Sequence, residues 1–267
     1  MQLKKIALIY YTNMFIHVLG TAQDGGYPQI GCNEACCNLV WKNPELKKYP
    51  SSLAVVDQSK RKYWIFDITP EVKSQVHLLN SFECSLSGIF ITHAHIGHYM
   101  GLINLGLEVM NLKEIPVYIM PRMRDFIMGN TLLNQLVENN NINLITLEEN
   151  QVVGVNNLLS VEAFSVPHRN ELSETVGYKI IGKSKTAIYL PDIDSWRNSL
   201  HRGLIHRYKE SNIVLTGGVD DIWIVTMSKQ LIVVDKKSQT KNVGLDKKDY
   251  QDDPCHEGYK MQIDFYA

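Results

Sequence analysis

The stretch Gly88-Ile89-Phe90-Ile91-Thr92-His93-Ala94-His95-Ile96-Gly97-His98-Tyr99-Met100-Gly101-Leu102 places three histidines within six residues directly after a short apolar run. Residues 88–91 read as a buried strand, and residues 99–110 carry apolar side chains at helical spacing, so a helix is expected there. The histidines then sit on a strand-to-helix turn, where α/β scaffolds present side chains to an open cleft. In extended backbone His93 and His95, two apart, point to the same side, and neutral imidazole is the commonest metal ligand near neutral pH. A lone histidine is ordinarily a core or surface residue. Three in a His-x-His-x-x-His pattern predict a metal-binding loop.

The rest of the chain fits a globular α/β protein. Its 267 residues suit one large domain or two small ones, and 45% hydrophobic composition is enough for a substantial core. Lys+Arg 27 against Asp+Glu 28 leaves a net charge of -1, so no overall basic field marks a nucleic-acid or membrane-surface partner. No run approaches the ~18 apolar residues of a membrane span. Lys4-Lys5 and the short apolar run after them resemble the start of a secretory signal, but Thr12-Asn13 interrupts it and no small-residue cleavage site follows. A cytoplasmic chain is expected, or an exported one if this is a truncated signal. Nothing in the sequence sets the oligomeric state.

Taken in order, residues 1–14 form an N-terminal segment, 15–216 a domain, and 217–267 an atypical tail. A first strand at 15–19 ends at Gly20 and leads into a long turn-rich loop, 20–50, carrying Asp24-Gly25-Gly26-Tyr27-Pro28 and the thiols Cys32, Cys36 and Cys37. Five cysteines in a long chain argue against a disulfide scaffold. The three clustered thiols are candidates for a structural zinc needing a fourth ligand, and free loop thiols are the equal alternative. Residues 52–56 and 63–68 read as a hairpin, and Thr69-Pro70-Glu71 opens a helix. Further strands are expected near 117–120, 142–147, 158–166, 176–181 and 186–190, with helices through about 137 and over 195–210, and a strand at 213–216. Beyond Gly217 the pattern deteriorates: 222–225 and 231–234 have strand character, and 236–253 is charged and turn-rich, which predicts a poorly ordered tail. Asp67, His93, His95, His98, His168 and Asp192 all follow strands, so a layered fold would bring them to one edge.

The order Asp67, His93-x-His95-x-x-His98, His168, Asp192 resembles the metallo-β-lactamase superfamily, whose fold is a four-layer αβ/βα sandwich with a metal site along one edge. Residues 18–29 (VLGTAQDGGYPQ), the cysteine cluster and Tyr189-Leu190-Pro191-Asp192-Ile193-Asp194 look like the branch containing coenzyme PQQ synthesis protein B. The resemblance covers roughly residues 15 to 216. It implies that His93, His95 and His168 are the imidazoles of a first metal, that Asp192 is a carboxylate reaching it or bridging to a second, and that His98 belongs to a second site. It also implies that Asp67 orients a histidine, as carboxylates commonly do at zinc. On the residues alone, His168 also reads as an ordinary loop residue and Asp192 as an N-cap.

Two departures from the family pattern matter. Where the family has His-x-His-x-Asp-His, this chain has Gly97, which has no side chain to offer, and no late histidine segment follows Gly217, so the C-terminal part reads as degenerate or incomplete. The donor count therefore favours one zinc over two, with iron and manganese as alternatives. An open coordination position would let zinc bring a bound water to a pKa of about 7. The leading function is a metal-dependent hydrolase acting on a small polar substrate, with Asp192 and Asp67 as its candidate catalytic carboxylates. A degenerate metal-binding protein without turnover is the alternative, followed by a phosphodiesterase or oxygen-using member of the same superfamily. Nucleic-acid processing is disfavoured by the neutral charge.

Overall fold

The computed structural model describes residues 14–183 and 185–194, together with the backbone of 221–224 and 231–234. A six-stranded sheet forms first, in the order β1 (Met14–Gly20), β2 (Ser52–Asp57), β3 (Lys62–Phe66), β4 (Ser85–Phe90), β5 (Ile115–Ile119), β6 (Ile142–Thr146). β1, β2 and β3 pair antiparallel, and β3 through β6 pair parallel. The β2–β3 turn closes because Asp57 Oδ1 accepts from the Ser59 hydroxyl at 2.6 Å and the Lys60 N–H at 3.1 Å. Every residue of β2 is buried. This is why its sequence, SLAVVD, reads as a nearly continuous apolar run instead of an alternating one.

A second sheet, antiparallel throughout, has the order β10 (Thr186–Tyr189), β9 (Val176–Gly182), β8 (Leu159–Ser165), β7 (Val152–Gly154). The two sheets share a core in which Leu53, Val55, Trp64 and Phe66 meet Val161, Ala163, Tyr178 and Ile180. At its centre Phe66 stacks on Phe90 at 4.6 Å and Phe90 on Tyr118 at 4.3 Å, while Tyr178 meets both phenylalanines edge-on. Aromatic pairs of this kind contribute about 0.5–1.5 kcal/mol each beyond the area they bury. The opposite face of the first sheet is covered by α4 (Pro121–Gly129) and α5 (Thr131–Glu138), through Met123, Ile127, Leu133 and Leu136 packed on Ile89, Val117 and Leu144. The fold is therefore the expected mixed α/β sandwich.

Three elements differ from the sequence expectation. The long loop 20–50 contains α1 (Ala35–Lys42), which buries Cys37 and Val40. A short strand, β7, precedes β8. The single helix expected over 99–110 is instead a turn of α-helix, α3 (Ile96–Tyr99), followed by a 3₁₀ segment, Met100–Leu105. Its backbone is claimed elsewhere: the Ile68 N–H donates to His98 O and the Gly101 N–H to Ile68 O, both at 2.9 Å. A Cβ at Gly101 would stand 2.3 Å from Thr69 O, so only glycine permits that approach. β11 (Asp221–Ile224) and β12 (Leu231–Val234) pair antiparallel, in line with the strand character of those runs. The expected helix at 195–210, the strand at 213–216 and the segment 236–253 lie outside the described residues, as does most of the tail expected to be degenerate. Among the described residues no helix is long and apolar enough to cross a membrane.

Candidate metal centre

Because β3 and β4 run parallel, Asp67 and the residues after Phe90 leave the first sheet at the same edge. The second sheet is tied to that edge through the Tyr178 hydroxyl, which donates to Ile91 O at 2.7 Å, and the Val176 N–H, which donates to Thr92 O at 3.1 Å. The loops after β8 and β10 thereby bring His168 and Asp192 over the histidine turn. The Ala94 N–H, donating to Ser173 Oγ at 2.9 Å, fixes the turn from the other side.

His93, His95, His168 and Asp192 each present a ligand atom, and these atoms all lie within 4.8 Å of one another. Asp192 Oδ2 is 3.2 Å from His93 Nε2 and 3.3 Å from His168 Nε2, and His95 Nδ1 is 2.8 Å from His93 Nε2. Ligand atoms on one tetrahedral zinc with bonds near 2.0–2.1 Å stand about 3.3 Å apart. The donor set thus fits such an ion in chemistry and in spacing.

The outer ring nitrogens have partners of their own. His93 Nδ1 is 3.0 Å from Thr92 Oγ1, His168 Nδ1 is 2.7 Å from Asp194 Oδ1, and His98 Nδ1 is 2.7 Å from Asp67 Oδ2. His95 is the loose member, with Nε2 3.6 Å from Glu171 Oε1. Such partners fix the tautomer and turn the other nitrogen inward. Asp67, fully buried, also accepts from the Thr92 N–H at 2.8 Å and the Tyr189 hydroxyl at 2.9 Å. It faces the back of His98, the orienting place the family resemblance implies, and the cleft lies on the far side of that ring.

Charge is distributed to match. Burial pushes His93 down to about 4, with the neighbouring His98 adding to the effect, and it also lowers His95, helped by Arg169. Both shifts favour the neutral imidazole that ligation requires. Burial opposes the cation of His98, yet Asp67 and Asp192 hold it well above the ordinary histidine value; His168 is raised against burial by Asp192 and Asp194. For Asp192, burial alone would raise the carboxyl, but His98, His168 and His93 hold it far below the usual carboxylate range.

One participant escaped the sequence: Asp24, from the long loop, joins His98 and Asp192 in a second group of donors within 4.8 Å. Its segment was conspicuous as Asp-Gly-Gly in an overlong loop, and its target was concealed because Gly97 carries no side chain to mark the place. Asp194, Glu171 and Thr92 were likewise invisible as partners, since isolated polar residues carry no spacing signal. The thiols of Cys32, Cys36 and Cys37 are neighbours, and loss of solvation pushes Cys37 up to about 11 with both others adding. They are not among the donor groups that converge within 4.8 Å in the described residues.

Residues 66–234 match the family described as the Beta-lactamase superfamily domain. The chain belongs to the beta-lactamase superfamily. Coenzyme PQQ synthesis protein B of Methylobacillus flagellatus is 31% identical over 131 residues, 46% of this chain and 42% of that protein. Ribonuclease Z of Prochlorococcus marinus is 27% identical over 154 residues, 55% of this chain and 48% of that protein. The chain thus spans less than half the length of these two relatives. The crystal structure of Zn(2+)-bound PqqB from Methylobacterium extorquens superposes with a TM-score of 0.61 at 20% identity, covering 71% of this chain and 69% of that one. The superfamily and the metallo-β-lactamase fold stand as the sequence suggested, and the similarity to PQQ synthesis protein B is on the side of the branch it pointed to.

Proposed function

We propose that this superfamily member is a metal-dependent hydrolase of a small polar substrate, with His93, His95, His168 and Asp192 holding one catalytic ion. The observation that carries it is the convergence of three imidazoles and a carboxylate, from three separate loops, on one point. When bound, zinc or a similar cation supplies Lewis acidity and a water acidic enough to lose its proton near neutral pH. The chain supplies the rest. His93 is buried and forms the floor, while His95 and His168 are partly buried at the rim. Val166, Pro167, Asn170 and Thr175 line a cleft beside His168. Arg169, exposed and 3.5 Å from His95 Nδ1, places a positive charge at the mouth, suited to an anionic group of a substrate.

A net charge of -1 supplies no field for a polynucleotide, so nucleic acid is not proposed as substrate even though one relative is a ribonuclease. The purified chain is expected to carry stoichiometric zinc, iron or manganese and to hydrolyse a generic phosphodiester or lactone, and His93→Ala is expected to lose both. A metal-replete chain that binds no ion ends the proposal. Stoichiometric metal without hydrolysis of either substrate class would turn it to the non-catalytic alternative.

A further inference from the structure

We propose that Asp24, His98 and Asp192 form a second cation site beside the first, in which Asp24 supplies from the β1–α1 loop the carboxylate that position 97 lacks. This rests on the metal-centre reading above and extends it from one ion to two. Asp24 Oδ1 and Asp192 Oδ2 stand 3.4 Å and 3.3 Å from His98 Nε2. His98 is only 2% exposed, and its Nε2 is a fully buried atom that makes no hydrogen bond among the described residues. Leaving such an atom unmatched costs roughly 1–3 kcal/mol in general, so a buried ring nitrogen facing two carboxylates marks a place for a cation or proton. Asp67 on Nδ1 fixes the orientation, so Nε2 has no other direction to face.

Gly97 is the complement of Asp24. A Cβ at position 97 would stand 2.2 Å from Asp24 Oδ1 and 2.5 Å from its Cγ, so the carboxylate occupies the volume that any side chain there would need. The loop holds Asp24 in place by backbone pairing on both sides: the Ala22 N–H donates to Tyr49 O at 2.7 Å, and Tyr27 and Lys48 exchange N–H···O bonds at 2.9 and 2.8 Å. Two carboxylates and one imidazole are harder than three imidazoles and one carboxylate. The second site therefore suits an oxygen-preferring divalent ion such as Mn2+, and Asp192 is shared between the two.

The test uses the full chain stripped of metal and titrated with Mn2+, which discriminates against thiolates, with free ion counted by electron paramagnetic resonance. Wild type is expected to saturate at two ions per chain with an exchange-coupled signal, because ions sharing a ligand lie about 4 Å apart. Asp24→Ala is expected to saturate at one, uncoupled. Gly97→Ala attacks the same contact from the other side by displacing the carboxylate without removing it, and the same single-ion count is expected. Thermal melts establish that both variants are folded; should Asp24→Ala not fold, Asp24→Asn takes its place with the same expected count. A wild-type chain that saturates at one ion, or variants that hold two as tightly as wild type, overturns the second site and leaves the first intact. A wild-type chain that binds none overturns both.

Discussion

Two donor groups meet at Asp192, and they are built differently. His93, His95 and His168 follow β4 and β8, strands deep in the two sheets, and the loops bearing them are bonded to each other and to the sandwich core. Asp24 comes from a loop whose hold on the rest is mainly the short backbone pairing of residues 21–27 with 48–51. The contrast teaches how a cleft of this type can keep one half fixed by the fold and draw the other half from a segment free to vary. A missing ligand at one sequence position is then not a missing ligand in space.

The largest expected effect touches both halves at once. Asp192→Ala removes the one carboxylate that faces His93, His98 and His168 together. Metal content measured by mass spectrometry is expected to fall to at most one weakly held ion per chain, since the second group keeps only Asp24 and His98 while the first keeps its three imidazoles, the number a catalytic ion usually has. Retention of a full complement would show that the two groups do not share it. Asp67→Ala acts more through stability. It leaves the Thr92 N–H and His98 Nδ1 without their common acceptor in a place with no access to water, and takes from the Tyr189 hydroxyl the shorter of two contacts, the other being Ser51 O at 3.2 Å. Breaking a buried charged network from one side costs about 3–5 kcal/mol. Urea unfolding checks this, and Asp67→Asn should lose less, since asparagine keeps the shape and tolerates the left-handed backbone (φ 60) found there. A loss below about 1 kcal/mol for the alanine variant would mean that water already reaches the network.

The same contrast explains what the sequence made legible. The first donor group was readable because its signal is local: two histidines at period two after a buried apolar run, and further ligand-type residues at the ends of later strands. β2 through β6 were readable for the same reason, as runs of buried β-branched and aromatic residues. What was not readable depends on three-dimensional closure. The run at 99–110 has helical periodicity, but Ile68 takes its hydrogen bonds and splits it. Asp24 lies 73 residues before Gly97, and nothing in either segment announces that one fills the space the other vacates. Absence of a side chain was legible; the occupant of the resulting space was not.

Within the first group, the two outer carboxylates allow the finest comparison, because their exposure is the same and their distances differ. Asp194 and Glu171 are each 55% exposed at the side chain, but Asp194 Oδ1 is 2.7 Å from His168 Nδ1 whereas Glu171 Oε1 is 3.6 Å from His95 Nε2. Asp194 is also anchored, its N–H donating to Pro167 O at 2.8 Å in the loop that carries His168. Removing an outer partner of a ligating histidine typically lowers metal affinity by 10–100-fold. Asp194→Asn is expected to lie in that range, measured for zinc by competition with a chromophoric chelator. Glu171→Gln is expected to cost less than about tenfold, because at 3.6 Å its influence on His95 is a screened charge at the surface and no hydrogen bond is lost. Raising the salt concentration should then shrink the Glu171 effect and leave the Asp194 effect nearly unchanged, since a Debye length of about 10 Å at 0.1 M falls to about 3 Å at 1 M. Equal losses for the two variants at both salt concentrations would mean that Glu171 closes onto His95 when the ion is bound, and that His95 is held as firmly as the other two imidazoles.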